Sequence, residues 1–393
     1  MKKSQFIFLK SKVSDSNPEI QKDSEKFIEE MHIENIDFDG QIFFIQSGGT
    51  EEIFKRVYKE YKAPYFLIAT DANNSLPAAL EIVSFLHSKN LDVTLYHGKP
   101  NDVAKKMASK SVNNAPFYYQ LKPKEKVLDN MRLGMVGKPS DWLIASHVDY
   151  QKLEDTFGAK VIDISFEEFK EAIAKASPNR LKEFEGKVND IISKEDLIQA
   201  LKIYDALLGI AQKYNFDGMS VRCFDLLGTV HSTSCIALSL LNDDGIVSSC
   251  EGDLPALLSM MIFKKIANKE SFQCNPSYIN EKENYGYFAH CTIPLKMCND
   301  YALDTHFESG IGVGIHGEMK LSDVTILKID ASLDKFALYK AKIQENLYKS
   351  NLCRTQIKIR FNEPVEQVLS SPCGNHLIVS YGDIKDKLLK VLS

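Results

Sequence analysis

The first 270 residues alternate short apolar runs with helical stretches, and that rhythm restricts the fold more than any other property of the chain. Gln41 to Gln46 is β-rich and gives way, through Ser47-Gly48-Gly49-Thr50, to a helix from Glu51. Tyr65 to Ala69 and Val93 to Tyr96 repeat the pattern, with a helix from Ser75 to about Leu86 between them. It restarts after Lys122-Pro123-Lys124 with strands at Arg132 to Val136, Lys160 to Ile164, Met219 to Phe224 and Gly245 to Ser249. A long helical region, Lys182 to Tyr214, hinges near Ser193. Strands separated by helices need crossover connections, so they build parallel sheets.

Beyond about Ser271 the helices thin out. Tyr285 to Ile293, Gly310 to Ile315, Asp323 to Ile329, Thr355 to Phe361 and Leu377 to Tyr381 read as strands joined by turns, closed by a helix from Asp383. At about 150 residues per domain, 393 residues hold two or three domains. The expected fold class is α/β: two Rossmann-like parallel-sheet domains, at 1–128 and 129–270, then a β-rich, barrel-like domain at 271–393.

A net charge of −5 and the lack of any Lys/Arg cluster with interleaved aromatics argue against nucleic acid as a partner. No run approaches 18 apolar residues, and the N-terminal segment lacks a signal-peptide core, so no membrane partner and a cytoplasmic location are expected. The eight cysteines are scattered without a CxxC, which suits reduced, buried thiols.

The chemistry concentrates at strand ends. Ser248-Ser249-Cys250-Glu251-Gly252-Asp253 closes a strand and opens a helix, with Pro255 in the first turn. Carboxyl ends of parallel strands are where α/β proteins place ligands. Arg222-Cys223-Phe224-Asp225 ends the preceding strand with a third acid. The turn Gly137-Lys138-Pro139-Ser140-Asp141-Trp142 gathers a lysine, a serine and the sole tryptophan, a set suited to a sugar face or to a domain interface. Ser47-Gly48-Gly49-Thr50-Glu51 offers either a plain tight turn or a cradle for an anion or a hydroxylated ligand. Among nine histidines, His290 lies in an apolar strand, and His376 follows Gly374-Asn375, a turn able to aim its ring out of the sheet. Two carboxylates and one imidazole would hold a hard divalent ion, Mn²⁺ or Mg²⁺, with positions open to substrate.

Together the Gly137-to-Trp142 loop, Cys250-Glu251-Gly252-Asp253, Ala289-His290-Cys291-Thr292 and Gly374-Asn375-His376 resemble, in order, the motifs of the L-fucose isomerase-like family, related to L-arabinose isomerase. The resemblance implies two α/β domains and a C-terminal β domain, a homo-oligomer, and aldose–ketose interconversion through an enediol. It implies a metal, usually manganese, held by Asp253, His376 and a further carboxylate, Asp225 or Glu251. Asp225, Glu251 and Asp253 are then the candidate catalytic acids, and Arg222, His290, Lys138, Ser140 and Trp142 the candidate sugar contacts. The rival readings are a sugar-binding or sensor protein without catalysis, and a metal-dependent lyase, aldolase or epimerase acting on a modified sugar.

Overall fold

The structure is a computed structural model that describes residues 2, 5–11, 17–38, 40–109 and 117–393. Its first sheet runs in chain order: β1 (Phe6–Leu9), β2 (Ile42–Ile45), β3 (Tyr65–Ala69) and β4 (Val93–His97), all parallel. Both faces are covered, as parallel sheets require. Ile42, Phe44 and Ile68 pack with Ile28 of the helix Glu19–Glu30, its C-cap Met31, and Val103 and Met107 of the helix Pro100–Ala108. Phe43, Ile45 and Leu67 face the helix Ser75–Ser88, whose first twelve residues are all buried.

After a two-residue strand, β5 (Tyr119–Gln120), come β6 (Arg132–Val136), β7 (Lys160–Ile164), β8 (Gly218–Val221) and β9 (Val247–Cys250). They form a second parallel sheet in the order β7-β6-β8-β9. The chain leaves β6 on one side and returns on the other, so a topological switch point lies between β6 and β8, the usual place for a ligand crevice. The long helical region does break at Ser193. That residue and Asp196 form a reciprocal capping box that starts the helix Lys194–Tyr214.

The remaining strands are β10 (Phe272–Asn280), β11 (Tyr285–His290), β12 (Cys298–Asp304), β13 (Gly314–Met319), β14 (Asp323–Ile329), β15 (Lys335–Asn346), β16 (Thr355–Phe361) and β17 (Leu377–Tyr381). Six of them close into an antiparallel barrel, β14-β17-β10-β11-β16-β15, sealed by the β14–β15 pairing. Closure removes the free edges that an open sheet exposes. β5 extends the barrel sheet beside β15, and β12 with β13 forms a separate hairpin. The helix Leu254–Ala267 is the spine between layers: Leu257, Met261 and their neighbours pack against Leu133 and Met135 of the central sheet and Leu327 and Ile378 of the barrel.

Three differences from the sequence reading have physical causes. β10 carries Pro276, Gln273 and Asn275, which mask a strand. β15 is rich in Lys, Ala, Gln and Glu, residues of low strand preference that pairing on both sides overrides. The strand expected at Met219 to Phe224 stops at Val221, and Asp225 opens a short helix, Asp225–Thr229, instead of ending a strand. Among the described residues, no helix is long and apolar enough to cross a membrane.

Candidate metal and sugar site

The turn after β9 has an unusual backbone. Glu251 and Gly252 both lie in the left-handed region, at φ 66° and 70°. Only glycine adopts this freely, so Glu251 is held there against a conformational cost. At Gly252 a β-carbon would come within 2.5 Å of the Lys138 carbonyl oxygen, so the Lys138-Pro139 loop can pack directly onto the turn. The Ser140 N–H donates to the Glu251 carbonyl at 2.9 Å, and the Trp142 indole donates to Glu251 Oε2 at 2.6 Å.

The strained turn splits the two acids. Asp253 faces the barrel and is fully buried. Its Oδ1 caps the helix Leu254–Ala267 by accepting from the Ala256 N–H at 2.7 Å, and its Oδ2 pairs with Lys328 Nζ at 2.9 Å and with His376 Nδ1 at 2.7 Å. Burial opposes its charge, but Lys328 and His376 outweigh that and hold the carboxyl far below its usual range. Glu251 Oε1 faces the other side of the same imidazole, 3.4 Å from His376 Nε2, a buried nitrogen with no hydrogen-bond partner.

His290, from the end of β11, completes the cluster. Ligand atoms of Glu251, His290 and His376, all buried, lie within 4.8 Å of one another. His290 Nδ1 is 2.9 Å from Thr292 Oγ1, which leaves Nε2 for the cluster. Burial, with His376 nearby, pushes His290 down to about 3, so its ring is neutral. Burial also works against a charged His376, yet Glu251 and Asp253 lift it to about 9. For Glu251, burial opposes the charge, but His376, His290 and the Trp142 hydrogen bond keep the carboxyl below its usual range. Two carboxylates flanking one ring, an unpartnered Nε2 and a neutral second imidazole together select one positive charge, and a divalent cation fits that donor set.

Each remaining candidate has a definite place. Asp225 is 41% exposed in its side chain and pairs with Arg222 at 2.9 Å, outside the Glu251–His290–His376 group. Arg222 is a strut: it binds Asp141 through both terminal nitrogens, the Pro139 carbonyl at 2.6 Å, and Asp225. Lys138 stands in the left-handed region above Gly252. The Ser140 hydroxyl is buried without a partner. Trp142 packs edge-on against Phe224, with ring centroids 4.8 Å apart.

Two cavities meet at the cluster. A small one of about 30 Å³, enough for a water or an ion, is lined by Glu251, His290, His306 and Glu308 with five cysteines: Cys223, Cys235, Cys250, Cys291 and Cys353. Thiols far apart in sequence thus gather at one spot, with Sγ atoms of Cys223 and Cys250 2.8 Å apart. The larger cavity, about 600 Å³, opens between the layers, and its wall includes Trp142, Glu251, Glu308, Asn74, Asn275 and Glu51.

Several of these groups had no role in the sequence reading. Glu81, the lone charge in an apolar helix, accepts from the Ala145 N–H at 2.7 Å, the Asn375 N–H at 3.0 Å and the Ser146 hydroxyl, and so fixes the turn that presents His376. Burial lifts it to about 7 although every partner is a donor. Gly374, at φ 88°, makes room: a β-carbon there would lie 3.1 Å from Glu81 Oε2. His97 ties β4 to the barrel, with Nδ1 on the Ala69 carbonyl and Nε2 accepting from the Ile279 N–H. Lone charges within apolar runs, Glu81 and Lys328, were the available signal.

No family model matches the chain. Among curated proteins it is similar to the sulfoquinovose isomerase of Priestia megaterium (strain ATCC 12872 / QMB1551), 21% identical over 281 residues, 68% of this chain and 63% of that protein. It is 21% identical to the sulfoquinovose isomerase of Alkalicoccus urumqiensis over 307 residues, 75% and 68% of the two chains. With that of Clostridium sp. (strain MSTE9) it shares 26% over 206 residues, 48% and 45%. The chain spans just under two thirds of the length of the Priestia protein it matches, and all three relatives carry the name of a sugar isomerase.

Proposed function

We propose that the protein is a metal-dependent sugar isomerase that interconverts an aldose and a ketose. The observation that carries this reading is the buried Glu251–His290–His376 cluster at the edge of a cavity of about 600 Å³, in a chain similar to proteins named as sugar isomerases. Glu251, His290 and His376 are the holders of the ion. This differs from the expected set of Asp225, Asp253 and His376, because Asp225 pairs with Arg222 and every lone-pair direction of Asp253 is engaged by Lys328, His376 or Ala256. Two imidazoles and one carboxylate suit Mn²⁺ better than Mg²⁺, which prefers an all-oxygen shell. When bound, the ion would supply Lewis-acid polarisation of the sugar's carbonyl oxygen.

The protein's own groups do the rest. Asp253 is a positioning residue: its Oδ2 accepts the hydrogen bond from His376 Nδ1–H and so turns Nε2 toward Glu251, where it would give up its proton to hold the ion. Trp142 fixes Glu251 through Oε2 and presents its ring to the cavity. Glu308 lines both cavities, and burial lifts it to about 7, the range in which a carboxyl both takes and returns a proton near neutrality. We assign it the proton transfer between C1 and C2, in place of Asp225. The arrangement as three domains, 1–128, 129–270 and 271–393, a homo-oligomeric state and a cytoplasmic location belong to the same proposal. Light scattering on the purified protein tests the oligomer.

The test is exchange of the C2 proton of candidate aldoses in deuterated water, with Mn²⁺ supplied or chelated. The reading predicts exchange and ketose formation only with metal, and one ion per chain, lost in His376→Ala. Metal-independent turnover, or full activity in His376→Ala, would sink it.

A further inference from the structure

The lining of the large cavity has a definite charge. Among the described residues it carries four carboxylates, Glu51, Glu52, Glu251 and Glu308, and one basic side chain, Arg56, which is already paired with Glu52. Glu251 belongs to the metal cluster. Glu51 and Glu308 are left facing the cavity without a cation.

Glu51 is the sharper case. It is 2% exposed, and its Oε2 is buried with no hydrogen-bond partner. Burial, reinforced by Glu81, Glu251 and Glu308, pushes its carboxyl well above the usual range. Beside it lies Asn74, 9% exposed, whose Nδ2 donates to Glu308 Oε1 at 2.6 Å. That bond fixes the amide, because a carboxylate selects the NH₂ end, and so the unpartnered Asn74 Oδ1 is an acceptor. The glycine turn brings these groups together: a β-carbon on Gly48 would lie 3.0 Å from Asn74 Cβ and 3.6 Å from Glu308 Oε1. Two buried oxygens, Glu51 Oε2 and Asn74 Oδ1, thus lie in the cavity lining without hydrogen-bond partners. Leaving such groups unsatisfied costs about 1–3 kcal/mol each, more when charged, so the wall selects a ligand that brings donors.

On the isomerase reading, a sugar whose reacting end lies at Glu251 and Glu308 presents its remaining groups to Glu51 and Asn74 on the same cavity lining. We infer that the wall formed by Glu51 and Asn74 is a specificity subsite for a cationic, ammonium-bearing far end of the sugar, and that it rejects an anionic one. A sulfonate offers only acceptors and a fixed negative charge, and here it would meet acceptors and carboxylates. An ammonium brings three N–H donors and favours ionisation of the Glu51 carboxyl beside it, the proton passing to solvent. On this inference the chain departs from the relatives it matches, which are named for sulfoquinovose.

Trp142 is the only tryptophan and lines the same cavity, so its fluorescence reports binding independently of turnover. The probes are 6-amino-6-deoxyglucose, glucose and sulfoquinovose, which share a skeleton and differ at C6, titrated at neutral pH into the full-length, Mn²⁺-loaded protein. A charge-assisted hydrogen bond is worth about 1.5–3 kcal/mol, so the amino sugar should bind at least roughly tenfold tighter than either other sugar. Glu51→Gln should erase that preference, and Glu51→Asp, which keeps an ionisable carboxyl, should retain its sign. Sulfoquinovose or glucose binding as tightly as the amino sugar would overturn the inference, as would an unchanged preference in Glu51→Gln or no binding of any probe. The expected binding order without C2 proton exchange would uphold the subsite and refute the isomerase.

Discussion

Two sets of buried carboxylates lie in this molecule, and they are built on opposite principles. Asp253 is fully compensated: a lysine, an imidazole and a helix N-terminus absorb its charge. Glu51 and Glu308 are not, since their strongest neighbours are other acids and one asparagine. Buried charges persist in proteins when paired or when a ligand pairs them. On the subsite inference, the first set is scaffolding and the second meets the substrate. The Glu251 turn sits between them and takes part in both.

Substitutions can break this contrast, and the largest effect belongs to the shared cluster. His376→Ala should abolish bound metal, measured by elemental analysis, and lower turnover by more than the roughly 10–100-fold typical of an outer-shell partner. Next comes the compensated set. Asp253→Asn strands Lys328 in the core and should cost about 3–5 kcal/mol in denaturant unfolding, whereas Asp253→Asn with Lys328→Met should recover most of that stability without restoring metal affinity. If the double variant binds metal normally, Asp253 does not orient His376.

Glu81→Gln comes third. Its amide would present N–H to a backbone donor at Ala145 or Asn375, for a loss of about 1–3 kcal/mol and weaker metal binding. The smallest effect is the most diagnostic. Glu51 and Glu308 have folded-state values raised above the unfolded ~4.3, so the stability tied to their protonation is complete below that pH. It is lost as pH rises, through about 7 for Glu308. Ligand-free Glu51→Gln should match the native protein in thermal unfolding near pH 4 and exceed it at pH 8. A flat difference across that range would place Glu51 in the compensated class.

Much of this was legible in the sequence. The parallel strands read clearly because burial on both faces makes them continuous apolar runs, such as Ile42 to Ile45. β10 and β15 did not, because their stability comes from partners on either side instead of from their own composition. At the site, Glu251, Asp253, His290 and His376 stood out from their motifs. Their division of labour was hidden. It depends on the φ of one residue and on Lys328, which comes from a strand 75 residues further along. The wall of Glu51 and Asn74 was hidden for a related reason: a glutamate opening a helix after two glycines is ordinary until the barrel closes over it.

The Lys138–Trp142 loop is held to the Glu251 turn by Ser140 on the backbone and Trp142 on the carboxylate, and to Arg222, just after β8, through the Pro139 carbonyl. Any insertion or drift in that loop would drag the metal cluster with it, so this wall has little freedom to diversify. The segment from Gly48 to Glu52 supplies no group of the cluster and has more freedom to vary, whereas Asn74 is tied to Glu308 and is fixed with the chemistry. A lineage built on this scaffold would exchange substrates by rewriting its N-terminal layer while its chemistry stayed fixed.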